Sequence, residues 1–377
     1  MDIEKQSITL IATVAMGLES VLAQELRQLG YNQLTVENGR VQFEANAEDI
    51  IKCNLWLRTA GRVFVKIGEF KAFSFDELFE KTKALPWQNW IEKTGQFPVS
   101  KISSKNSTLF SKSDSQAVVK KAVVESLKKA YKVNTLPETG AQFPIRVQIE
   151  RDLVTLSIDT SGEGLHKRGY RAHMSKAPLR ETLAAGLLYL SRWRPKEDAL
   201  IDPMCGTGTI LIEAALMAHN IAPGLNRTSI SENWSLLPIN SWKRYRKEAG
   251  EQIDRTIKPR ILGSDNNGKA LKIARENIEI ASVETVFVQK LDVTECRSRY
   301  EKGKLVTNPP YGERLGEKQE AEVLYEDLGV LCRDHFPNWN YYILTSHPEF
   351  EDFFGKKATR KRKLFNGSIR CDYYSFY

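Results

Sequence analysis

The sequence predicts an α/β protein whose C-terminal part is a doubly wound, largely parallel sheet, preceded by one or two small α+β units. Three observations predict it. From Ala199 to Thr345 short apolar strands alternate with amphipathic helices, the rhythm of βα crossovers. At residues 202–209 a glycine-bearing turn follows an apolar strand and opens a helix. Before about residue 160, by contrast, strands and helices come in irregular order. At 377 residues the chain exceeds one ordinary core, so two or three domains are expected.

In the first half, Ser7 to Thr13 reads as a strand. Gly17 to Leu29 reads as a helix with Leu18, Val21, Leu22, Leu26 and Leu29 on one stripe. Val41 to Phe43 is a short strand, Ala47 to Leu57 a helix, and Arg62 to Ile67 a strand. Short helices at Asp76 to Thr82 and Gln88 to Glu92 flank Pro86, and a strand covers Pro98 to Ser103. A long helix from about Asp114 to Lys132, capped by Ser113 or Asp114, turns Val119, Val123, Val124 and Leu127 inward. Ile145 to Glu150 and Leu153 to Asp159 form a hairpin around Arg151-Asp152. No acid/base cluster, metal-ligand spacing or phosphate loop stands in this half, which places the chemistry in the other.

The polar, basic stretch Gly162 to Lys176 reads as a linker able to touch RNA. Beyond it come the helix Leu179 to Trp193, the strand Ala199 to Ile201 and the helix Ile210 to Met217. There follow the strand Arg260 to Ser264, the helix Lys269 to Ile280 and the strand Thr285 to Leu291. The strand Leu305 to Thr307, the helix Val323 to Phe336 and the strand Asn340 to Thr345 complete the series. An insertion, His219 to Lys258, rich in Trp, Arg and Lys, interrupts it and is expected to loop out, where it can cover a substrate cleft.

Composition narrows the class. No stretch approaches the roughly 18 apolar residues of a membrane span, and the N-terminus lacks the order of a secretion signal. Five scattered cysteines without a C-x-x-C pair read as reduced thiols in a cytoplasmic protein and hold no metal. The net charge of +8 is compatible with a polyanionic partner.

Asp202-Pro203-Met204-Cys205-Gly206-Thr207-Gly208-Thr209 carries the first chemical signal. Its glycines permit a sharp turn and close ligand approach, and the helix start presents unpaired N–H groups. The spacing D-x-x-x-G-x-G suits a methionine-bearing nucleoside better than a dinucleotide. Asp265, with Asn266, ends the second strand, where a carboxylate can accept both ribose hydroxyls. Asp292, with Val293, ends the third, where it can accept from an adenine amino group. The expected ligand-contacting set is therefore Asp202, Met204 to Thr209, Asp265, Asn266, Asp292, Val293 and Asn308.

Asn308-Pro309-Pro310-Tyr311 ends the strand after that. An exocyclic base amine is a poor nucleophile because its lone pair is delocalised into the ring. The Asn308 side-chain oxygen and the Pro309 carbonyl can accept its two N–H bonds and localise that pair, while Tyr311 stacks on the base. The nitrogen then attacks a sulfonium methyl in line, with positioning providing much of the acceleration. A base paired in a helix cannot reach such a site and must be unpaired or flipped out.

These residues, together with His166-Lys167-Arg168-Gly169-Tyr170-Arg171, Ala177 to Thr182 and Ala12 to Leu26, resemble the THUMP-domain RNA guanine-N2 methyltransferases over nearly the full length. The resemblance implies a ferredoxin-like unit at 1–45, a THUMP domain at 46–157 and a linker with a Rossmann-like methyltransferase domain at 158–377. It implies S-adenosylmethionine as cofactor and 2-methylguanosine as product. The RNA it implies is 23S ribosomal RNA or a ribosomal precursor, with tRNA as the alternative. A single methyltransferase domain implies a single modification. The N-P-P-Y run alone does not specify guanine, since adenine-N6 and glutamine methyltransferases carry similar runs. RNA contact is expected at Lys121, Lys128, Lys167, Arg168 and Arg171, and at the denser cluster Lys356, Lys357, Arg360, Lys361 and Arg362. The phosphate-loop pattern S-G-G-x-D-S of a thiouridine synthetase is absent, and a nicotinamide oxidoreductase would leave N-P-P-Y without a role.

Overall fold

The computed structural model describes residues 7–171, 173, 179–312 and 315–377. The expectations at Ala177, Pro178 and the end of the linker at Lys176 lie outside them. The first half runs β1 (Ile8–Val14), α1 (Glu19–Gln28), β2 (Leu34–Glu37), β3 (Arg40–Ala45), α2 (Asp49–Trp56), β4 (Ala60–Lys71) and α3 (Phe75–Lys83). It continues through β5 (Val99–Lys105), α4 (Lys112–Tyr131), β6 (Ile145–Glu150) and β7 (Leu153–Asp159).

All seven strands join one sheet in the order β2-β3-β1-β4-β7-β6-β5, antiparallel except for β5 beside β6. The 12-residue β4 makes this continuity possible: its first part pairs with β1 and its remainder with β7. The division expected at residue 45 therefore falls inside one sheet, between β3 and α2. The β6–β7 turn is as expected, with Arg151 and Asp152 both at positive φ (53° and 62°), the conformation of a tight hairpin turn. The α4 cap differs: Ser111 accepts from the Asp114 N–H, two or three residues ahead of the expected Ser113 or Asp114.

The second half comprises α5 (Glu181–Ser191), β8 (Ala199–Asp202), α6 (Thr209–Ala218), α7 (Ser241–Glu251), β9 (Ile261–Asp265), α8 (Gly268–Ile280) and β10 (Val286–Lys290). Then come β11 (Gly303–Thr307), α9 (Leu315–His335), β12 (Asn340–Thr345), α10 (Phe350–Phe354), β13 (Arg360–Asn366) and β14 (Ile369–Phe376). The sheet order is β10-β9-β8-β11-β12-β14-β13. Five strands are parallel, and the C-terminal hairpin adds two antiparallel ones. Strand order reverses between β8 and β11, and in such sheets the crevice at the carboxyl ends of the two strands is the ligand site. No helix among the described residues is long and apolar enough to cross a membrane, and the five cysteines are buried and form no disulfide.

The insertion, expected to loop out where it can cover a cleft, does not line the cavity at the carboxyl ends of β8 and β11; much of it fastens the two halves together. Gly224 lies so close to α2 that a Cβ would come 2.5 Å from the Asn54 carbonyl oxygen. Trp234, nearly fully buried, stacks on Phe143 at 4.9 Å and donates from Nε1 to the Gln142 carbonyl (2.9 Å). On α7, Arg244 pairs with Glu48, and the Tyr245 hydroxyl donates to the same carboxylate at 3.1 Å.

Candidate active site

The loop after β8 is held against the end of β9. The Cys205 N–H donates to the Ser264 carbonyl (2.9 Å), the Gly206 N–H to Asp265 Oδ2 (2.8 Å) and the Gly208 N–H back to the Cys205 carbonyl (2.8 Å). Both glycines sit at positive φ (53° and 81°), where a side chain would be strained. A Cβ on Gly206 would meet no atom within 4 Å, so this glycine leaves open space in front of the loop.

Asp202 lies beneath that loop, 2 % exposed. Its Oδ1 accepts from the Met204 N–H (3.1 Å) and from the Thr307 hydroxyl (2.7 Å). Since Thr307 ends β11 and precedes Asn308, this one carboxylate ties the glycine loop to the N-P-P-Y loop across the strand reversal. Burial, opposed by those two bonds, pushes its pKa up to about 7.

One cavity of about 610 Å³ opens at this end of the sheet. Met204, Gly206, Asp265, Asn266, Asp292, Val293 and Asn308 to Tyr311 all stand in its wall, so the residues singled out on four successive strand ends converge. Asp292 accepts from the backbone N–H and the hydroxyl of Thr294 on Oδ1 (3.0 and 2.7 Å), which holds its pKa below the usual carboxylate value. Asp265 Oδ1 accepts from the Asn267 N–H at 2.8 Å.

The N-P-P-Y loop is braced from behind. Tyr325 donates its hydroxyl to the Pro310 carbonyl at 2.7 Å, while no donor among the described residues reaches the Pro309 carbonyl. The Tyr311 hydroxyl donates to Asn308 Oδ1 at 2.6 Å. The oxygen expected to grip an amine is thus held by its own neighbour, and Tyr311 engages Asn308 as well as lining the cavity.

Other expected residues stand outside the wall of this cavity. The Cys205 side chain is buried against β9, Thr207 is occupied through its carbonyl by the Asn277 side-chain amide (3.1 Å), and Gly208 and Thr209 are buried at the start of α6. Arg168 is not available to RNA: it is 5 % exposed and paired with Glu213 at 3.3 Å. Arg171 is half-buried and pairs with Glu181, whereas Lys167 is exposed beside Glu163. Lys356, Lys357, Arg360 and Lys361 are exposed and Arg362 half-buried, the last donating to the Ser20 hydroxyl at 3.0 Å. Lys357 pairs with Asp352 (2.8 Å) and Lys361 with Glu351 (3.6 Å). On α4, Lys121 is exposed and Lys128 half-buried.

Sequence reasoning missed Glu320, Ala321 and Leu324 of α9, and Asn366 and Ile369 of the β13–β14 turn, all in the cavity wall. The Asn366-Gly367 pair between two β-patterned runs was the available signal for that turn. Elsewhere, Glu322, His347 and Glu349 are grouped closely enough to hold a cation, but Lys318 already lies 3.5 Å and 4.0 Å from the two carboxylates.

Comparison with known proteins agrees with this geometry. Residues 9–64 match the RlmL ferredoxin-like domain, 72–159 the THUMP domain and 168–375 the family described as RMKL-like, methyltransferase domain. YpsC of Bacillus subtilis, described as a candidate RNA methyltransferase, is 46 % identical over 98 % of this chain and 96 % of its own length. The ribosomal RNA large subunit methyltransferase K/L of Syntrophotalea carbinolica is 34 % identical over 98 % of this chain and 53 % of its own. The chain thus spans about half the length of that relative.

Among solved structures, a candidate methylase of Clostridium difficile 630 superposes with TM-score 0.95 at 48 % identity, covering 98 % of both chains. A protein of Listeria monocytogenes described as a predicted N6-adenine-specific DNA methylase gives 0.93 at 45 %, covering 99 % and 96 %. SMU.472, a candidate methyltransferase complexed with S-adenosylhomocysteine, gives 0.93 at 41 %, covering 99 % and 98 %. With these domains in this order over one converging cavity, the chain belongs to the THUMP-bearing, RMKL-like methyltransferase family.

Proposed function

We propose that the protein methylates the exocyclic N2 amine of an unpaired guanosine in ribosomal RNA, 23S RNA foremost, with S-adenosylmethionine as donor. The observation that carries this reading is the single cavity joining the glycine loop, the two strand-end acids and the N-P-P-Y loop. Open space before Gly206 and carboxylates at 265 and 292 fit a nucleoside-bearing donor, as does the S-adenosylhomocysteine complex of a relative 41 % identical. Asp265 would hold the ribose, Asp292 the adenine amine, and Met204 with Val293 the apolar faces. Bound there, the cofactor supplies a methyl group already activated on a sulfonium.

The chain's own residues supply the acceptor side. Asn308 Oδ1 and the Pro309 carbonyl accept the two N–H bonds of the amine and localise its lone pair, and Tyr325 keeps the loop in shape through Pro310. No strong base is needed, because the nitrogen becomes acidic once alkylated. On substrate entry Tyr311 must surrender its bond to Asn308, which leaves its ring to stack on the base. The catalytic set is therefore Asn308, Pro309, Pro310 and Tyr311. The RNA-binding set is Lys121, Lys128, Lys167 and the cluster from Lys356 to Arg362. We place the protein in the cytoplasm because its five buried cysteines form no disulfide.

The name of the Listeria relative favours a second reading, adenine-N6 methylation of DNA. The appended THUMP and ferredoxin-like units and the ribosomal RNA relatives support RNA. Incubation with labelled donor and either unmodified ribosomal RNA or DNA, followed by nucleoside analysis, decides between them. 2-Methylguanosine in RNA is expected, and N6-methyladenine in DNA would replace the proposal.

A further inference from the structure

Beside the donor cavity lies a second one of about 690 Å³, within the roughly 300–1,000 Å³ typical of ligand sites. Asn366 and Ile369 stand in the wall of both. Segments remote in sequence build it: the stretch around Glu163 to Arg171, residues 226–228 of the insertion, and the β13–β14 turn.

Its charge is unbalanced. Lys167, Arg168 and Arg171 each have a carboxylate partner, but Arg227, only 6 % exposed, forms no ion pair among the described residues. Its Nη2 donates to the Asn54 carbonyl (2.7 Å), while Nε and Nη1 are buried without any partner. Burial, and next the charge of Arg168, lower its pKa to about 10. Burial, then Arg180 and Arg168, push His166 down to about 4. Glu232 and Asp159 offset part of the Arg227 charge without pairing with it, so the cost that remains is that of two buried donors with no acceptor. The unpartnered nitrogens lie beneath the surface, so Arg227 acts through its field, whereas Lys167, Arg180 and Ser368 form the exposed rim.

A base delivered to Asn308 must leave its stack, and its flanking phosphodiesters then lie one nucleotide step away. We infer that the second cavity is the subsite for the sugar-phosphate backbone of single-stranded RNA next to the target nucleotide, with Asn366 and Ile369 as the partition between base and backbone. This rests on the RNA methyltransferase reading above and names how that site holds its substrate.

The test is binding rather than turnover. Ser368→Glu places a carboxylate in an exposed turn, and Lys167→Ala removes a rim cation; neither residue lines the donor cavity. The probe is a labelled nonamer of uridines with one central guanosine. Each variant should bind it about ten-fold more weakly than the parent chain. Lys167→Ala should also lower the log–log salt slope by about 0.7, one phosphate on a single strand. Affinity for S-adenosylhomocysteine and the Tm should not change, which locates the loss. Either variant matching the parent in probe affinity overturns the inference, and so does a parent chain that fails to bind the probe. Nucleoside analysis is a separate readout, so the guanine-N2 assignment can fail while this subsite stands, and the reverse.

Discussion

Asn308 and Asp202 sit one strand apart, yet their roles divide cleanly. Asn308 faces the cavity and would touch the amine, so Asn308→Ala should keep donor affinity and lower turnover roughly 10²–10³-fold, the loss seen when one preorganised polar group is removed. Single-turnover kinetics with ribosomal RNA, beside calorimetry with the donor, checks this; unchanged turnover removes Asn308 from the chemistry. Asp202 is buried and joins two loops through Met204 and Thr307. With a folded-state pKa raised to about 7, it binds a proton that the unfolded chain releases near pH 4. Its contribution to stability is fully present below that pH and disappears as pH rises through about 7. Asp202→Asn, close in shape to the protonated acid, should flatten the fall in Tm between pH 4 and 7. An unaltered slope would show that another group titrates.

At the scale of elements, the insertion is the least expected part. Its composition suggested a cover for the cleft, but no residue of 219–258 lines the donor cavity. Trp234 instead fills a site against Phe143 in the first sheet. Trp234→Ala should cost about 3–5 kcal/mol, the usual range for emptying a buried aromatic site, read as a drop in denaturant midpoint with donor affinity unchanged. Weakened donor binding would instead tie the insertion to the active site. The β13–β14 hairpin was missed for a different reason. β13 begins Arg-Lys-Arg-Lys, a pattern that looks like a solvated basic run, yet charges are how an exposed edge strand avoids pairing with other chains. The basic cluster and the strand are one feature, and its turn carries Asn366 to the cavity.

At the scale of the molecule, several basic residues are already compensated within the chain, so net charge overstates what is free for RNA. Lys357 and Lys361 face Asp352 and Glu351, while Lys356 and Arg360 are exposed and form no ion pair among the described residues. In a filter-binding salt titration, affinity for ribosomal RNA should fall with ionic strength by about 0.7–0.9 in log–log slope for each phosphate contacted. Lys356→Ala with Arg360→Ala should reduce that slope by about 1.4–1.8. A slope untouched by the double variant would move the RNA path away from β13.

The amino-acid order by itself determined what is local: the strand-turn-helix at 202–209, the acids at the ends of β9 and β10, the N-P-P-Y loop and most helices, because period and turn chemistry act over a few residues. The tertiary structure alone decided what depends on contacts distant in the chain. It joined the first seven strands into one sheet through β4, turned Arg168 inward onto Glu213, and bound Tyr311 to the oxygen of Asn308. It also brought residues 166, 227 and 368 around one cavity. Burial and charge compensation are set by neighbours that no short window of sequence contains.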